Sequence, residues 1–287
     1  MNLLKSMFIS IYMMLVSALT AYAGWRFYQE SFADRWFGVL LTTAPILFLF
    51  TRLMLFRQTA RTSGRLPLFN LAAAIGFGIT VKAAIVGHGL LFPVLGATGW
   101  AGLLLYIHWY SKLARPESPV LKPGAVLPRL VLKDTNLIPV RSDELTDKAT
   151  LWLFYRGNWC PLCMAQIKEL AAKHQDFIGR GVRVVLVSPQ PVTHTASLSD
   201  KYPVGFDFLV DEGNSAARIL GISDPFGVPM GMQMLGYASE TVLPTVILTA
   251  PGGKVLWTDQ TDNYRVRPEP GTYLDVLRQH GLVQQAA

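Results

Sequence analysis

The run LWLFYRGNWCPLC, residues 151–163, passes from five consecutive apolar residues to two cysteines separated by two positions. Residues 151–155 have the unbroken apolar character of a strand buried on both faces. After the turn Arg156-Gly157-Asn158-Trp159, residues 160–174 place Met164, Ile167, Leu170 and Ala171 at the spacing of a core-facing helix. Residues 182–188 (VRVVLVS) read as another buried strand. Strand, helix and strand at this spacing make a right-handed parallel unit. Outward from it, residues 127–132 and 138–140 read as two strands joined by the turn Asp134-Thr135-Asn136. Residues 206–210 and 214–220 repeat strand and helix. Residues 245–249 and 254–258 flank Ala250-Pro251-Gly252-Gly253, a hairpin signal, and residues 271–280 close with a helix. The pattern predicts an α/β fold with a mixed sheet and flanking helices.

Cys160 and Cys163 are the only cysteines in 287 residues, which excludes a disulfide scaffold and leaves one reactive pair. Cys160 stands at the predicted helix start, where about half a positive charge and free backbone N–H groups favour an anion. Thiols in such positions have pKa values of roughly 3.5–7.5, against about 8.5 for a free cysteine. Cys163 is one turn on, on the same helix face. Cys160 is therefore expected to carry the thiolate and attack, and Cys163, protonated near neutrality, to resolve the intermediate as a Cys160–Cys163 disulfide. Pro161 costs little in a first helical turn. Half a zinc site is the alternative use of this spacing. Structural zinc takes four ligands, and neither a second cysteine pair nor His174 and His194 supplies them. Inert buried thiols fit poorly in a Trp159-Cys160-Pro161 turn between strand and helix. No metal or cofactor is expected.

Residues 154–163 (FYRGNWCPLC) resemble the active-site segment of the thioredoxin-like superfamily, in its peroxiredoxin-like (alkyl hydroperoxide reductase/thiol-specific antioxidant) branch. Leu127-Pro128 with residues 130–140 resembles the opening hairpin of that family. Leu243-Pro244-Thr245 resembles its cis-proline loop, and residues 262–268 (DNYRVRP) the tail of a peroxiredoxin-like subgroup. The resemblance spans roughly residues 127–282. It implies a thioredoxin-like fold, Cys160 and Cys163 as the redox pair, supporting roles for Trp159 and Pro161, and a cis Pro244 followed by Thr245 opposite the pair. Two positions depart from the pattern. Gly157 stands where typical peroxiredoxins carry Thr or Ser, and Phe154 where thioredoxins carry a buried acid. Arg156 offers a substitute that steadies a thiolate or a peroxide oxygen; a solvated surface arginine is the other reading.

The rest of the chain is of another kind. Hydrophobic residues make up 51% and charged ones 16%, against about 25% charged in soluble domains. Residues 1–116 carry ten Lys/Arg and two acids, whereas residues 117–287 carry sixteen and seventeen. The basic excess punctuates apolar runs, unlike a nucleic-acid footprint clustered on one folded face. A span needs roughly 20 apolar residues. Residues 1–111 are expected to form a membrane region with spans near 7–23, 36–55, 67–86 and 90–110, followed by a proline-rich linker, 112–126, and the redox domain, 127–287. A cleaved leader is the alternative for the first run, since Ala21-Tyr22-Ala23 has the form of a cleavage site. Lys82 reads as a snorkelling residue, and His88 and His108 as turn and interface residues rather than haem ligands. With four spans, Lys5, Arg52, Arg57, Arg61, Arg65, Lys112, Arg115 and Lys122 share one side, and Arg26 and Arg35 the other. The positive-inside rule then places both ends, and the redox domain, on the cytoplasmic side of a bacterial inner membrane.

The expectation is a membrane-anchored thiol oxidoreductase. Hydroperoxide reduction through a sulfenic acid and disulfide exchange on a protein partner both stay open. So does an inactive membrane scaffold, against which the intact cysteine pair argues. A quinone-linked path through the spans rests on their presence alone. The expected partners are the lipid bilayer, a peroxide or disulfide substrate and an external thiol reductant such as a thioredoxin or glutathione system, with no nucleic acid.

Overall fold

The structure is a computed structural model describing residues 2–283. The chain divides into two compact units: Leu4–Arg57 with Thr62–Lys112, and Met1–Leu3 with Gln58–Arg61 and Leu113–Ala287.

The first unit contains four helices: α1 (Asn2–Gln29), α2 (Asp34–Phe56), α3 (Pro67–Ala83) and α4 (Leu91–Leu105). Wider turns carry α3 on to His88 and α4 on to Tyr110, and all four are long and apolar enough to cross a bilayer. Gly87, at φ +93, breaks the chain between α3 and α4, the turn expected near Gly87-His88-Gly89. The helices approach through small residues. A Cβ at Gly76 would lie 2.6 Å from the Gly38 carbonyl, and one at Gly99 would lie 2.8 Å from Thr42 Oγ1. The Tyr12 hydroxyl donates to the Gly99 carbonyl at 3.1 Å, so the first apolar run is packed with the others. Lys82, His88 and His108 are exposed.

The second unit is built on a seven-stranded mixed sheet. A short hairpin, β1 (Val131–Lys133) and β2 (Pro139–Arg141), opens it. The interior strand β3 (Thr150–Phe154) is buried throughout, as its apolar run demands. It leads into α5 (Pro161–Ala172) and the short α6 (His174–Ile178), then β4 (Arg183–Ser188), α7 (Val192–Lys201) and β5 (Asp207–Val210). Next come α8 (Ser215–Ile219) and a small two-stranded sheet of β6 (Ser223–Asp224) and β7 (Thr241–Val242). β8 (Thr245–Thr249), β9 (Val255–Asp259) and α9 (Pro270–Gln279) finish the unit. The strand order is β2-β1-β5-β4-β3-β8-β9, with β3, β4 and β5 parallel, β8 antiparallel to β3 and β9 antiparallel to β8. That order, with the cysteine pair after β3, is the expected thioredoxin-like fold.

Trp152, Phe154, Leu130, Leu132, Val185, Val187 and Ile247 form the core of this unit. Two expectations change. Residues 113–126 are not free chain: Leu121 is buried in the same core, and the Ser118 hydroxyl donates to the Leu220 carbonyl at 2.5 Å. And every peptide bond among the described residues is trans, Leu243–Pro244 included, so the cis Pro244 expected from resemblance is not found. The trans turn has its own bonds: Leu243 N–H donates to the Ile222 carbonyl at 2.8 Å and Arg115 Nη1 to the Pro244 carbonyl at 2.9 Å.

Candidate active site

The site begins where β3 ends. The chain turns through Gly157, at φ +139, a value that favours glycine. Cys160 N–H donates back to the Gly157 carbonyl at 3.1 Å, and Cys160 caps α5 in extended geometry (φ −89, ψ 106) with Pro161 in the first turn. A Cβ at Gly157 would meet Trp159 Nε1 at 2.9 Å and Gln190 Oε1 at 3.3 Å, so this turn admits nothing larger. Gln190, just past β4, holds the turn from the other side. Its Oε1 accepts from Asn158 N–H at 2.8 Å, and its Nε2 donates to the hydroxyls of Tyr155 and Thr195, both at 3.1 Å.

Both thiols are free and buried, Cys160 2% and Cys163 0% exposed. The group that meets them comes from the far end of the chain. Arg267, 6% exposed, points Nη2 at Cys163 Sγ (3.5 Å) and Cys160 Sγ (3.9 Å). Its Nη1 donates to Gln166 Oε1 at 2.7 Å and its Nε to the Tyr264 carbonyl at 3.0 Å, while Gln166 Nε2 donates to the Tyr273 hydroxyl at 3.0 Å. Every nitrogen of this buried cation is thus engaged, and two of its bonds fix the plane in which it faces the sulfurs.

Arg267 also settles where the charge goes. Burial raises both thiols. For Cys163 the hydrogen bond from Cys160, the Arg267 guanidinium and a backbone hydrogen bond from Arg156 outweigh burial and bring it down to about 5. Cys160 is pushed well up, by burial and then by its hydrogen bond and charge interaction with Cys163. The pair therefore loses one proton readily and holds the second. This reverses the expectation that Cys160 would be the low-pKa thiol. The helix-start field is present, but Arg267 lies nearer Cys163 and selects the deeper sulfur.

The other expected residues divide. Arg156 is not a solvated arginine: it is 6% exposed and lies 4.8 Å from the Trp159 ring and 5.9 Å from the Tyr264 ring. Its Nη2 donates to the Gly227 carbonyl and, at 3.4 Å, to Asp224 Oδ2, while the Thr241 hydroxyl donates to its carbonyl at 2.9 Å. Trp159 thus packs against the cation whose charge also favours ionisation of Cys160. Pro244 and Thr245 sit at the start of β8, where Thr245 pairs with Phe154 in register. Thr245 Oγ1 donates to the Leu243 carbonyl and accepts from Arg115 Nη2, so these two bond to Arg115 and their own turn. Arg267, Gln166 and Gln190 were not singled out from sequence. Arg267 lies in the DNYRVRP segment, but only the fold brings residues more than a hundred positions apart together.

Similarity to known proteins falls on this part of the chain. A family model described as the AhpC/TSA family matches residues 123–258. Peroxiredoxin Q from Gentiana triflora is 29% identical over 150 residues, covering 49% of this chain and 69% of the relative. Peroxiredoxin Q from Sedum lineare is 27% identical over 132 residues, covering 43% and 71%. Peroxidoxin BcpB from Mycobacterium tuberculosis superposes with a TM-score of 0.47 at 19% identity, covering 55% of this chain and 97% of that one. Residues 123–258, which hold the strand–turn–helix and both cysteines, are a domain of the AhpC/TSA family.

Proposed function

We propose that this thiol-dependent oxidoreductase reduces hydroperoxides through a Cys160–Cys163 dithiol/disulfide cycle, anchored to a bilayer by its four apolar helices. The observation that carries the reading is the depth of the thiols in an AhpC/TSA domain. Neither sulfur is more than 2% exposed. A small hydroperoxide suits such a site, whereas a protein disulfide has to bring its own backbone and sulfur to an accessible thiol.

Cys160 is the attacking sulfur, because Cys163 has no exposure at all. At rest the negative charge lies on Cys163 beside Arg267. Along the hydrogen bond between the sulfurs, the Cys160 proton passes to Cys163 as Cys160 attacks the outer peroxide oxygen. The O–O bond breaks, Cys160 becomes a sulfenic acid, and the leaving alkoxide or hydroxide takes the proton that Cys163 has just received. Cys163, again a thiolate stabilised by Arg267, then attacks the sulfenic sulfur. Its hydroxide leaves as water with a proton from solvent, and the disulfide forms. Two thiols and one hydroperoxide thus give a disulfide, an alcohol (water from hydrogen peroxide) and water. An external dithiol, of the thioredoxin or glutathione type, returns the pair to the reduced state. The charge asymmetry along residues 1–116 supports a cytoplasmic location for this domain.

The test uses Cys163→Ser in the full chain. A sulfenic acid should accumulate on Cys160 at micromolar peroxide and take up dimedone, as read by mass spectrometry. Absence of the adduct, with a partner protein trapped on Cys160 as a mixed disulfide, would instead identify a disulfide reductase.

A further inference from the structure

We propose that Arg61, outside the AhpC/TSA domain, is a positioning residue of the redox centre and sets the ionisation of the cysteine pair through Arg267. Arg61 lies five residues past the end of α2 in sequence, yet Gln58–Arg61 belong to the same compact unit as the thiols.

On α5, Cys163, Gln166 and Glu169 recur every third residue and line one ridge of the helix. Two arginines lie along that ridge. Arg267 takes Cys163 and Gln166, as described. Arg61 takes Glu169 with both terminal nitrogens, Nη1 to Oε1 at 3.2 Å and Nη2 to Oε2 at 2.5 Å. The two arginines are themselves linked. Arg61 Nε donates to the Arg267 carbonyl at 3.1 Å, and Nη2 reaches the Pro268 carbonyl at 3.4 Å. Glu269 Oε1 lies 3.7 Å from Nη1.

Arg61 therefore bonds at once to the helix that carries the thiols and to the backbone that carries their cation. Its side chain is 27% exposed and that of Glu169 29%. A pair so exposed adds little to stability. Its fork geometry nevertheless fixes two backbone carbonyls and a carboxylate relative to one another, which a point charge cannot do. The quantity it controls is the reach of Arg267 to the sulfurs. The thiolate sits within 3.5 Å of that guanidinium, so a small displacement weakens the attraction that opposes burial. The segments involved, residues 58–61 and 267–269, all lie beyond the matched 123–258 region. The clamp is thus built largely from segments outside the matched region.

The test measures the thiols directly, with no turnover, so it is independent of whether the oxidant is a peroxide or a disulfide. Full-length protein in detergent is reduced and its reaction with 2,2′-dithiodipyridine followed across the acid limb of the pH profile. Arg61→Ala should raise the apparent pKa by about half to one unit, slowing the reaction at about pH 4 by about threefold to tenfold. Arg61→Lys, which keeps the charge but not the fork, should fall between the two, and it carries the test if the alanine variant does not fold. Arg65→Ala removes the same charge nearby in sequence and should leave the profile in place. Arg267→Ala provides the full shift. A profile moved by Arg267→Ala but not by either Arg61 variant overturns this proposal alone. An equal shift from Arg65→Ala overturns it too, since net charge would then be the cause. A profile moved by none of them overturns it together with the role given to Arg267.

Discussion

The helical unit and the redox unit solve the burial problem in opposite senses. In the redox unit the largest side chains go inward: Trp152, Phe154, Tyr155 and Phe177 are all at most 1% exposed. In the helical unit Trp36, Ile46, Leu103 and Tyr106 are buried too, but the helices meet closely at Gly38, Gly76, Gly99, Thr42 and Thr80, and Leu55 (73%), Leu68 (76%) and Ile85 (80%) face out. A protein surrounded by water gains most by burying bulk. Helices surrounded by hydrocarbon gain nothing from hiding leucine and associate through close backbone approach instead. The outward leucines and isoleucine of the helical unit are compatible with a hydrocarbon environment, as proposed above.

The strongest way to break that comparison is to cut bulk from the redox core. Trp152 fills the centre of β3, and its Nε1 donates to Thr249 Oγ1 at 3.3 Å. Trp152→Ala should cost about 3–5 kcal/mol, a large share of the roughly 5–15 kcal/mol that holds a domain folded. Chemical denaturation followed by near-ultraviolet circular dichroism measures it. A cost below about 1 kcal/mol would mean that the core is not organised around this strand.

A second difference is confined to the redox unit and depends on pH. Cys163 ionises at about 5 in the fold and near 8.5 in an unfolded chain. A depressed acid of this kind contributes stability that is fully present above about 8.5 and is lost as pH falls through about 5. Cys160, held protonated by the fold, works against stability only above about 8.5, where the unfolded thiol would ionise. Reduced protein should therefore gain stability, a few kcal/mol at most, as pH rises from about 5 to about 8.5, and lose some beyond. The disulfide form has neither thiol to titrate. The difference in Tm between reduced and oxidised protein isolates the effect, and parallel curves would show that no thiolate is favoured.

Periodicity and runs of apolar residues made most of this architecture readable. The apolar runs at 151–155 and 182–188 read as buried strands, and β3 and β4 are buried except at the half-buried Arg183; β8 lies at the expected 245–249. The four apolar helices follow from length alone. What escaped has physical reasons. Helix α7, VTHTASLSDK, is largely polar and buries only Thr195 and Leu198, so its apolar signal is weak. β6 and β7 are two residues each, too short for any period. At the site, Cys160, Cys163 and the supporting Trp159 were legible because local spacing places them. The chemistry between them was not. It depends on Arg267, 104 positions from Cys163, and the helix-start argument alone assigned the thiolate to the wrong sulfur. Pro244 misled in a related way: a local tripeptide suggested a cis bond, but Arg115 and Ile222, distant in sequence, bond to a trans turn.

The finest test of that comparison lies within the helical unit, on two residues of α3 eight positions apart. Gly76 faces α2, where any Cβ would sit 2.6 Å from the Gly38 carbonyl and 2.7 Å from Leu41 Cβ. Both contacts are to atoms that cannot swing away, so Gly76→Val has to push the helices apart. A destabilisation of about 1–3 kcal/mol is expected, as for overpacking elsewhere. Leu68 is far larger and points outward. In water, truncating a buried leucine costs about 2–5 kcal/mol. If this face meets lipid, as proposed, acyl chains fill the space that the side chain leaves, no cavity forms, and Leu68→Ala should change stability by no more than about 0.5 kcal/mol. Thermal unfolding of the full chain in detergent, monitored through the tryptophans of the helical unit, compares the two variants directly. If removing an exposed leucine cost more than adding a methyl-bearing side chain at the glycine contact, the outward face of α3 would be a protein interface, and the lipid reading of that face would be wrong.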